Sequence, residues 1–279
     1  MKKKMSAKVR IIDSWVNPFP DNETAEAWKN SKPFRLMASK YKSNILEMRI
    51  EHLLEYMEKY NVDKAVLTGV DSIYWYISND WVAEQVKEHP DKLIGCAAVD
   101  PEKGMKAIYE LERAVKGLGL KGVLILPYAI RKPINDKIMY PFFAKCCELN
   151  VPVHIQVGHT APLLPSDVGR PIYLDEVALY FPELKILASH IGYPWTDEMI
   201  AMAWKHDNVY IDVGTHYPKY YQPQFLNYLN TYGQDKVLFA SCFPLTDYDR
   251  QIKELNELDL RPGPKRKFLR DNAMKLWGL

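Results

Sequence analysis

Four cysteines in 279 residues (Cys96, Cys146, Cys147 and Cys242) are too few for a disulfide framework, and none forms a CxxC pair. Charge of one sign is equally scarce: 37 basic against 35 acidic residues leave a formal net charge of +2. That balance, with the basic residues scattered, gives no footprint for nucleic acid. The one dense basic run is the opening MKKK, which reads as a solvated terminus. No apolar stretch approaches the ~20 residues that a membrane span needs, and no signal-peptide core follows MKKK. The expected setting is cytosolic, without membrane or nucleic-acid partners. Glycine is missing where a nucleotide-binding open sheet needs it: the first apolar run, IIDSWVNPFP, has no glycine-rich phosphate turn.

What is present is a repeated alternation in a chain that is 47% hydrophobic. Short apolar runs at 9–13, 62–68, 93–99, 120–126, 151–157, 184–189, 208–213 and 236–240 read as strands buried on both faces. Between them lie helical patterns at 45–60, 81–88, 105–116, 137–149, 174–181, 196–205, 223–229 and 247–258, with a last one at 267–277. The first of these has Leu46, Ile50, Leu53, Leu54 and Met57 at helical spacing, and Asn44 with Glu47 resembles a capping pair. Eight strand–helix units define a (β/α)₈ TIM barrel, a fold that runs to ~250 residues as one domain. A single domain over 1–279 is expected, with the doubly wound open sheet as the runner-up. Residues 14–43 carry Trp15, Pro18, Pro20, Trp28 and Pro33 without clear periodicity, and read as a packed lid or a subunit contact.

This fold hosts its chemistry at the C-terminal ends of the strands. Those ends carry Asp13, Trp15, Asn17, Thr68, Asp71, Asp100, Pro127, His154, Gln156, His159, His190, Asp212, His216, Ser241, Cys242 and Asp247. Loop-edge polar residues often only cap helices, and Asp247 and Asp100 fit that role. Four of seven histidines on one rim are harder to explain so. His190 ends a strand and is followed by Ile191-Gly192, where backbone could approach a ligand. A histidine that titrates near neutrality suits acid–base work there. His154 and Gln156 share a strand face, so if Gln156 points into the mouth His154 lies one layer below it. His159 and His216 sit just beyond their strands, and Arg170 stands in the proline-rich loop HTAPLLPSDVGRPI with a fork suited to carboxylate or phosphate. His52, His89 and His206 fall in or at the ends of helices.

The segments IIDSWVNP, LGLKGVLILP, VPVHIQVGHT, FPELKILASHIGYPW, NVYIDVGTHYP, KVLFASCFP and FLRDNAMKLWGL, in this order and spacing, carry a resemblance over nearly the whole chain. The sequence resembles the amidohydrolase superfamily, in the branch that includes amino-carboxymuconate-semialdehyde decarboxylase. The resemblance implies a barrel, a homodimer and a divalent metal, but this chain departs from the metal pattern. The family's first-strand His-x-His falls on Trp15 and Asn17, its fifth-strand histidine on Gln156 and its eighth-strand aspartate on Cys242; its sixth-strand histidine is His190. Trp15 cannot ligate, and neutral Asn17 and Gln156 are weak ligands. No metal is expected in the standard position; a zinc in a different site, through His190 and Cys242 with His159, is the remaining alternative.

The expected protein is an enzyme acting on a small carbonyl or carboxylate substrate. His190, His159 and Asp212 form the catalytic set, and Asn17, Gln156, Arg170 and His216 bind substrate. Hydrolysis leads, decarboxylation is the alternative, and a ligand-binding barrel without catalysis is the alternative of another class.

Overall fold

The computed structural model describes residues 9–40 and 43–279; the MKKK run lies outside them. Eight strands form one parallel ring: β1 (Ile11–Val16), β2 (Val62–Thr68), β3 (Leu93–Ala98), β4 (Val123–Ile125), β5 (Val153–Gln156), β6 (Ile186–Ser189), β7 (Val209–Asp212) and β8 (Val237–Leu238). Each pairs with its neighbours in chain order. The ring closes where Ser14 N–H donates to Phe239 O at 2.9 Å, Cys242 N–H to Trp15 O at 2.8 Å and Asn17 N–H to Phe243 O at 2.8 Å. This is the (β/α)₈ barrel. The strands are apolar throughout because both faces are covered, by helices outside and by packed side chains inside. Ile12, Val66, Val123, Val153, Ile186 and Val209 are all buried, each stabilising the fold by about 1.5–3 kcal/mol.

The strand ends are where expectation and structure differ most. The eighth run was expected to extend from 236 to 240, yet β8 stops at Leu238 because Phe239 N–H turns to Phe268 O at 3.0 Å. The last helical pattern is broken into Pro262–Arg266, a wider turn at Lys267–Asp271 and Asn272–Trp277. The helix expected over 45–60 begins at Ile50. Its start is set by Arg49, whose N–H donates to His52 Nδ1 at 3.2 Å. The expected Asn44–Glu47 cap falls partly outside the described residues. Residues 14–43 are not a plain loop: they contain helices Asn22–Asn30 and Arg35–Ala38. Asp21 caps the first, accepting from Thr24 N–H at 2.7 Å. Its apolar stripe is only Ala25 and Trp28, which is why no periodicity showed. Trp28 packs between Phe19 (5.6 Å) and Phe34 (5.9 Å), and this aromatic row continues to Tyr128. It lies over the C-terminal end of the barrel.

Asp13 joins the first and last strands. Its fully buried carboxylate accepts from Ser241 N–H at 2.8 Å, from Trp15 N–H at 3.2 Å and from the Tyr248 hydroxyl. Burial outweighs these bonds and pushes its pKa up to about 6. A carboxyl whose folded pKa is raised binds its proton more tightly in the folded state. Its contribution to stability therefore falls as pH rises from about 4 to about 6, by roughly 3 kcal/mol. In Asp13→Asn that dependence is removed. The variant's stability cost should shrink by that amount between pH 4 and pH 7 in urea unfolding; a cost independent of pH would contradict this assignment.

Candidate active site

The strand ends enclose a cavity of about 270 Å³ beneath the aromatic row. Trp15, Trp28, Phe34, Met37, Trp75 and Tyr128 form its apolar wall, and Asn17, Gln156, His159, His190, Thr215 and His216 supply polar groups. No lysine, arginine, aspartate or glutamate among the described residues lines it. The register explains the convergence. Gln156 lies opposite Ser189 on the β5–β6 ladder, so both strands reach the rim together and His190 follows at once. The chain then turns through left-handed backbone at His190 (φ 75°) and Ile191 (φ 60°). Thr215 after β7 and Cys242 after β8 are left-handed too, both at φ 61°. Non-glycine residues in this region are strained, and such strain concentrates at functional sites.

His190 is held from one side. Its Nδ1–H donates to Gly214 O at 2.9 Å. Because a carbonyl only accepts, this fixes the tautomer and leaves Nε2 with its lone pair. The same carbonyl accepts from Thr215 Oγ1 at 2.7 Å and from His216 Nδ1 at 3.1 Å. Trp15 stacks on the His190 ring, centroids 4.8 Å apart and planes 17° from parallel. These walls desolvate the imidazole and hold its pKa down at about 4, with nearby Asp212 opposing the shift. Burial likewise lowers His216. The resting His190 is thus a neutral acceptor at pH 7, not a group that titrates near neutrality as expected. In NMR its ring should titrate near pH 4. Stability carried by this depressed pKa is lost as pH falls from about 6.5 toward 4. A midpoint near 6.5 would contradict the enclosure described here.

Below the cavity floor lies a closed polar layer. His154, fully buried, donates from Nε2 to Asp212 Oδ2 at 2.8 Å and meets the Ser189 hydroxyl. Ser189 donates to the same carboxylate oxygen at 2.6 Å. Asp212 Oδ1 accepts Gly214 N–H at 2.8 Å. Burial works to raise the Asp212 pKa, but the bonds and charge of His154 carry it below the ordinary carboxylate range. Asp212 therefore makes no hydrogen bond to His190 and acts on it through Gly214 and through its charge. Asp212 and His159, expected beside His190 in the catalytic set, make no hydrogen bond to its ring; His159 packs edge-on against Tyr193 at 6.0 Å. Gly214 escaped sequence reasoning because a backbone carbonyl has no side-chain signature. A Cβ on it would come within 3.0 Å of Asp212 and 3.1 Å of His190, so any side chain there would press on both.

The remaining expected residues separate. Asn17 and Gln156 line the cavity. Gln156 gives its amide nitrogen to Val157 O at 3.0 Å, which leaves Oε1 unpaired. Trp15 Nε1 and Asn17 Oδ1 are also buried without a protein partner. Arg170 does not line the cavity: its guanidinium pairs with Glu198 and lies over Trp195, 5.6 Å from the ring centroid. Gly192 serves packing rather than ligand approach, since a Cβ there would strike Met199 at 2.6 Å and Pro171 at 2.9 Å. Asp247 caps the helix Tyr248–Glu257 and Asp100 the turn Pro101–Lys103. Cys242 lines the cavity, and burial holds its thiol well above the usual range, so at rest it is a neutral thiol rather than a thiolate nucleophile. Among the described residues no three His, Cys, Asp or Glu side chains converge to hold a metal ion. Asn17 and Gln156 are neutral and Trp15 is an indole stacked on His190, so this donor set does not fit a divalent cation.

A (β/α)₈ barrel with an imidazole and unpaired polar groups at its C-terminal rim has the architecture of a barrel enzyme. A family model described as amidohydrolase matches residues 12–279, and the chain belongs to that family. It is similar to gamma-resorcylate decarboxylase from Rhizobium sp. (strain MTP-10005), at 23% identity over 72% of this chain and 75% of that protein. It is also similar to 2-amino-3-carboxymuconate-6-semialdehyde decarboxylase from Dictyostelium discoideum, at 27% identity over 54% of this chain and 49% of that one. A TIM-barrel protein from Bordetella bronchiseptica superposes with a TM-score of 0.81 at 23% identity, covering 96% of this chain and 98% of the other. The 5-carboxyvanillate decarboxylase of Novosphingobium aromaticivorans, solved with manganese and 4-hydroxy-3-methoxy-5-nitrobenzoic acid, gives 0.77 at 18% identity, covering 97% and 96%. No described helix is long and apolar enough to cross a membrane.

Proposed function

We propose that this chain is a carboxy-lyase that removes CO₂ from a small aromatic or conjugated acid without a metal ion. Its sequence relatives named above are decarboxylases, which favours this alternative over hydrolysis, the leading expectation. The observation that carries the proposal is a single arrangement. A neutral imidazole, fixed at Nδ1 by Gly214, faces an aromatic cavity that holds no charge of its own.

A substrate carboxylate entering this cavity adds a second negative charge near His190, beside that of Asp212 in the layer below. In a low-dielectric site an opposite charge favours the protonated imidazole, so proton uptake accompanies binding. The imidazolium then donates its Nε2 proton to the carbon that bears the carboxylate. A C–H bond forms, the C–CO₂ bond breaks, its electron pair restores the conjugated system, and CO₂ leaves. His190 is neutral again, and one solvent proton has been consumed per turnover. Asn17 Oδ1 and Gln156 Oε1 accept from substrate hydroxyls, and Trp15 Nε1–H is the donor available to a carboxylate oxygen. The apolar walls oppose a localised carboxylate charge more than the dispersed charge of the transition state. No step is routed through a metal, since the donor set does not fit one.

A product assay tests this. With hydroxybenzoates and β,γ-unsaturated acids as the panel, the proposal expects CO₂ release with alkalinisation of a weakly buffered solution. A hydrolytic product formed without CO₂ would overturn it in favour of the resting His190 acting as a base toward water.

A further inference from the structure

A second cavity, about 370 Å³, lies beside the first, and Thr215 and Leu245 line both. It differs from its neighbour in charge. Tyr56, Tyr217, Phe243 and Tyr248 make its walls aromatic, and Lys40 and Arg250 line it as well. The single carboxylate in its lining, Asp247, accepts Asp249 N–H at 2.9 Å as a helix cap and keeps its charge, so the lining carries two cations against one anion. Arg250 is held in place: its guanidinium lies 3.9 Å from the Tyr217 ring centroid, and its Nε donates to Glu254 Oε1 at 2.7 Å in an ion pair that leaves its other nitrogens to a ligand. Lys40 is exposed, and no carboxylate among the described residues pairs with it. The shared residue Thr215 donates to the same Gly214 carbonyl that fixes His190, so the boundary between the cavities adjoins the reacting centre.

We infer that the substrate has two parts, and that the second cavity is the subsite for its arm. The conjugated head occupies the uncharged cavity. A chain passes between Thr215 and Leu245 and ends in an anionic group, a carboxylate or phosphate, at Lys40 and Arg250. This rests on the carboxy-lyase proposal for the position of the head. The charge pattern is the reason for the assignment: an uncharged cavity suits the group that loses CO₂, whereas a fixed negative terminus needs the cations next door. A substrate held this way places its reacting carbon by contacts remote from the chemistry.

Binding of matched probes tests it, read by quenching of the cavity tryptophans. Phenol reports on the head cavity alone. 6-Phenylhexanoate and 6-phenylhexanamide share a reach and differ in terminal charge, and 4-phenylbutyl phosphate offers the other anion. The acid should bind about tenfold more tightly than its amide. Lys40→Gln, at an exposed position, should abolish most of that difference and leave phenol binding unchanged; Lys40→Arg should restore it. Arg250→Gln should act in the same direction. Whichever anion gains more over the amide identifies the terminal group. Equal affinities of acid, phosphate and amide, or an advantage insensitive to Lys40→Gln, would overturn the subsite while phenol binding still upheld the head cavity. Failure of phenol itself to bind would overturn both.

Discussion

Turnover of any substrate found for this protein should fall by about 10²–10⁴-fold in His190→Ala, the range that a positioned proton-transfer group contributes. The loss should appear in kcat rather than KM, because the imidazole acts on the reacting carbon while the aromatic walls hold the ring. The protein should stay folded: the Gly214 carbonyl keeps its bonds from Thr215 and His216, and His190 is only part-buried. Free imidazole added to this variant should restore part of the activity, since the truncation leaves a slot under Trp15 with an acceptor, Gly214 O, at its end. Steady-state kinetics with and without imidazole measures both effects. Undiminished turnover in His190→Ala would remove the central residue from the mechanism.

The largest stability effect is expected at Asp212. Asp212→Ala removes one acceptor from three donors at once: His154 Nε2, the Ser189 hydroxyl and Gly214 N–H. All three lie in the dry layer under the cavity. Breaking a buried pair and stranding its partners costs about 3–5 kcal/mol, measurable as a lowered urea midpoint. Asp212→Asn keeps an oxygen for Gly214 N–H and should cost less. It should still disturb His190, because Gly214 sits between the two. Asp212→Asn also removes a charge that holds the His190 pKa up, so with the fold intact that titration should move further down; an unmoved titration would mark Asp212 as purely structural. The pKa of Asp212 is depressed in the folded state, so its stabilisation is present above the unfolded value of about 4 and lost as pH falls below it.

The barrel was legible because its strands are buried on both faces and its helices on one, and these leave different periodicities in the sequence. The parity of β5 separated Gln156 from His154 correctly, since side-chain alternation is a property of any strand: Gln156 lines the cavity and His154 lies buried beneath it. What sequence could not supply was the geometry of loops. Arg170 reads equally well as a substrate clamp or a surface residue until Glu198 is found beside it. Gly192 reads as an open approach until Met199 is found against it. The helix at Asn22–Asn30 was hidden by its two-residue stripe, although its capping aspartate stood in plain view. The hub at Gly214 was hidden for a deeper reason. It is backbone, and its importance arises from three side chains that converge on one carbonyl from His190, Thr215 and His216.

Metal dependence is the most direct test of the whole account. Protein stripped with chelator, its residual metal counted by mass spectrometry, is assayed for CO₂ release beside an untreated sample. Equal rates, with far less than one metal ion per chain, are the predicted result. A rate that vanishes on stripping and returns in proportion to added divalent metal would contradict it.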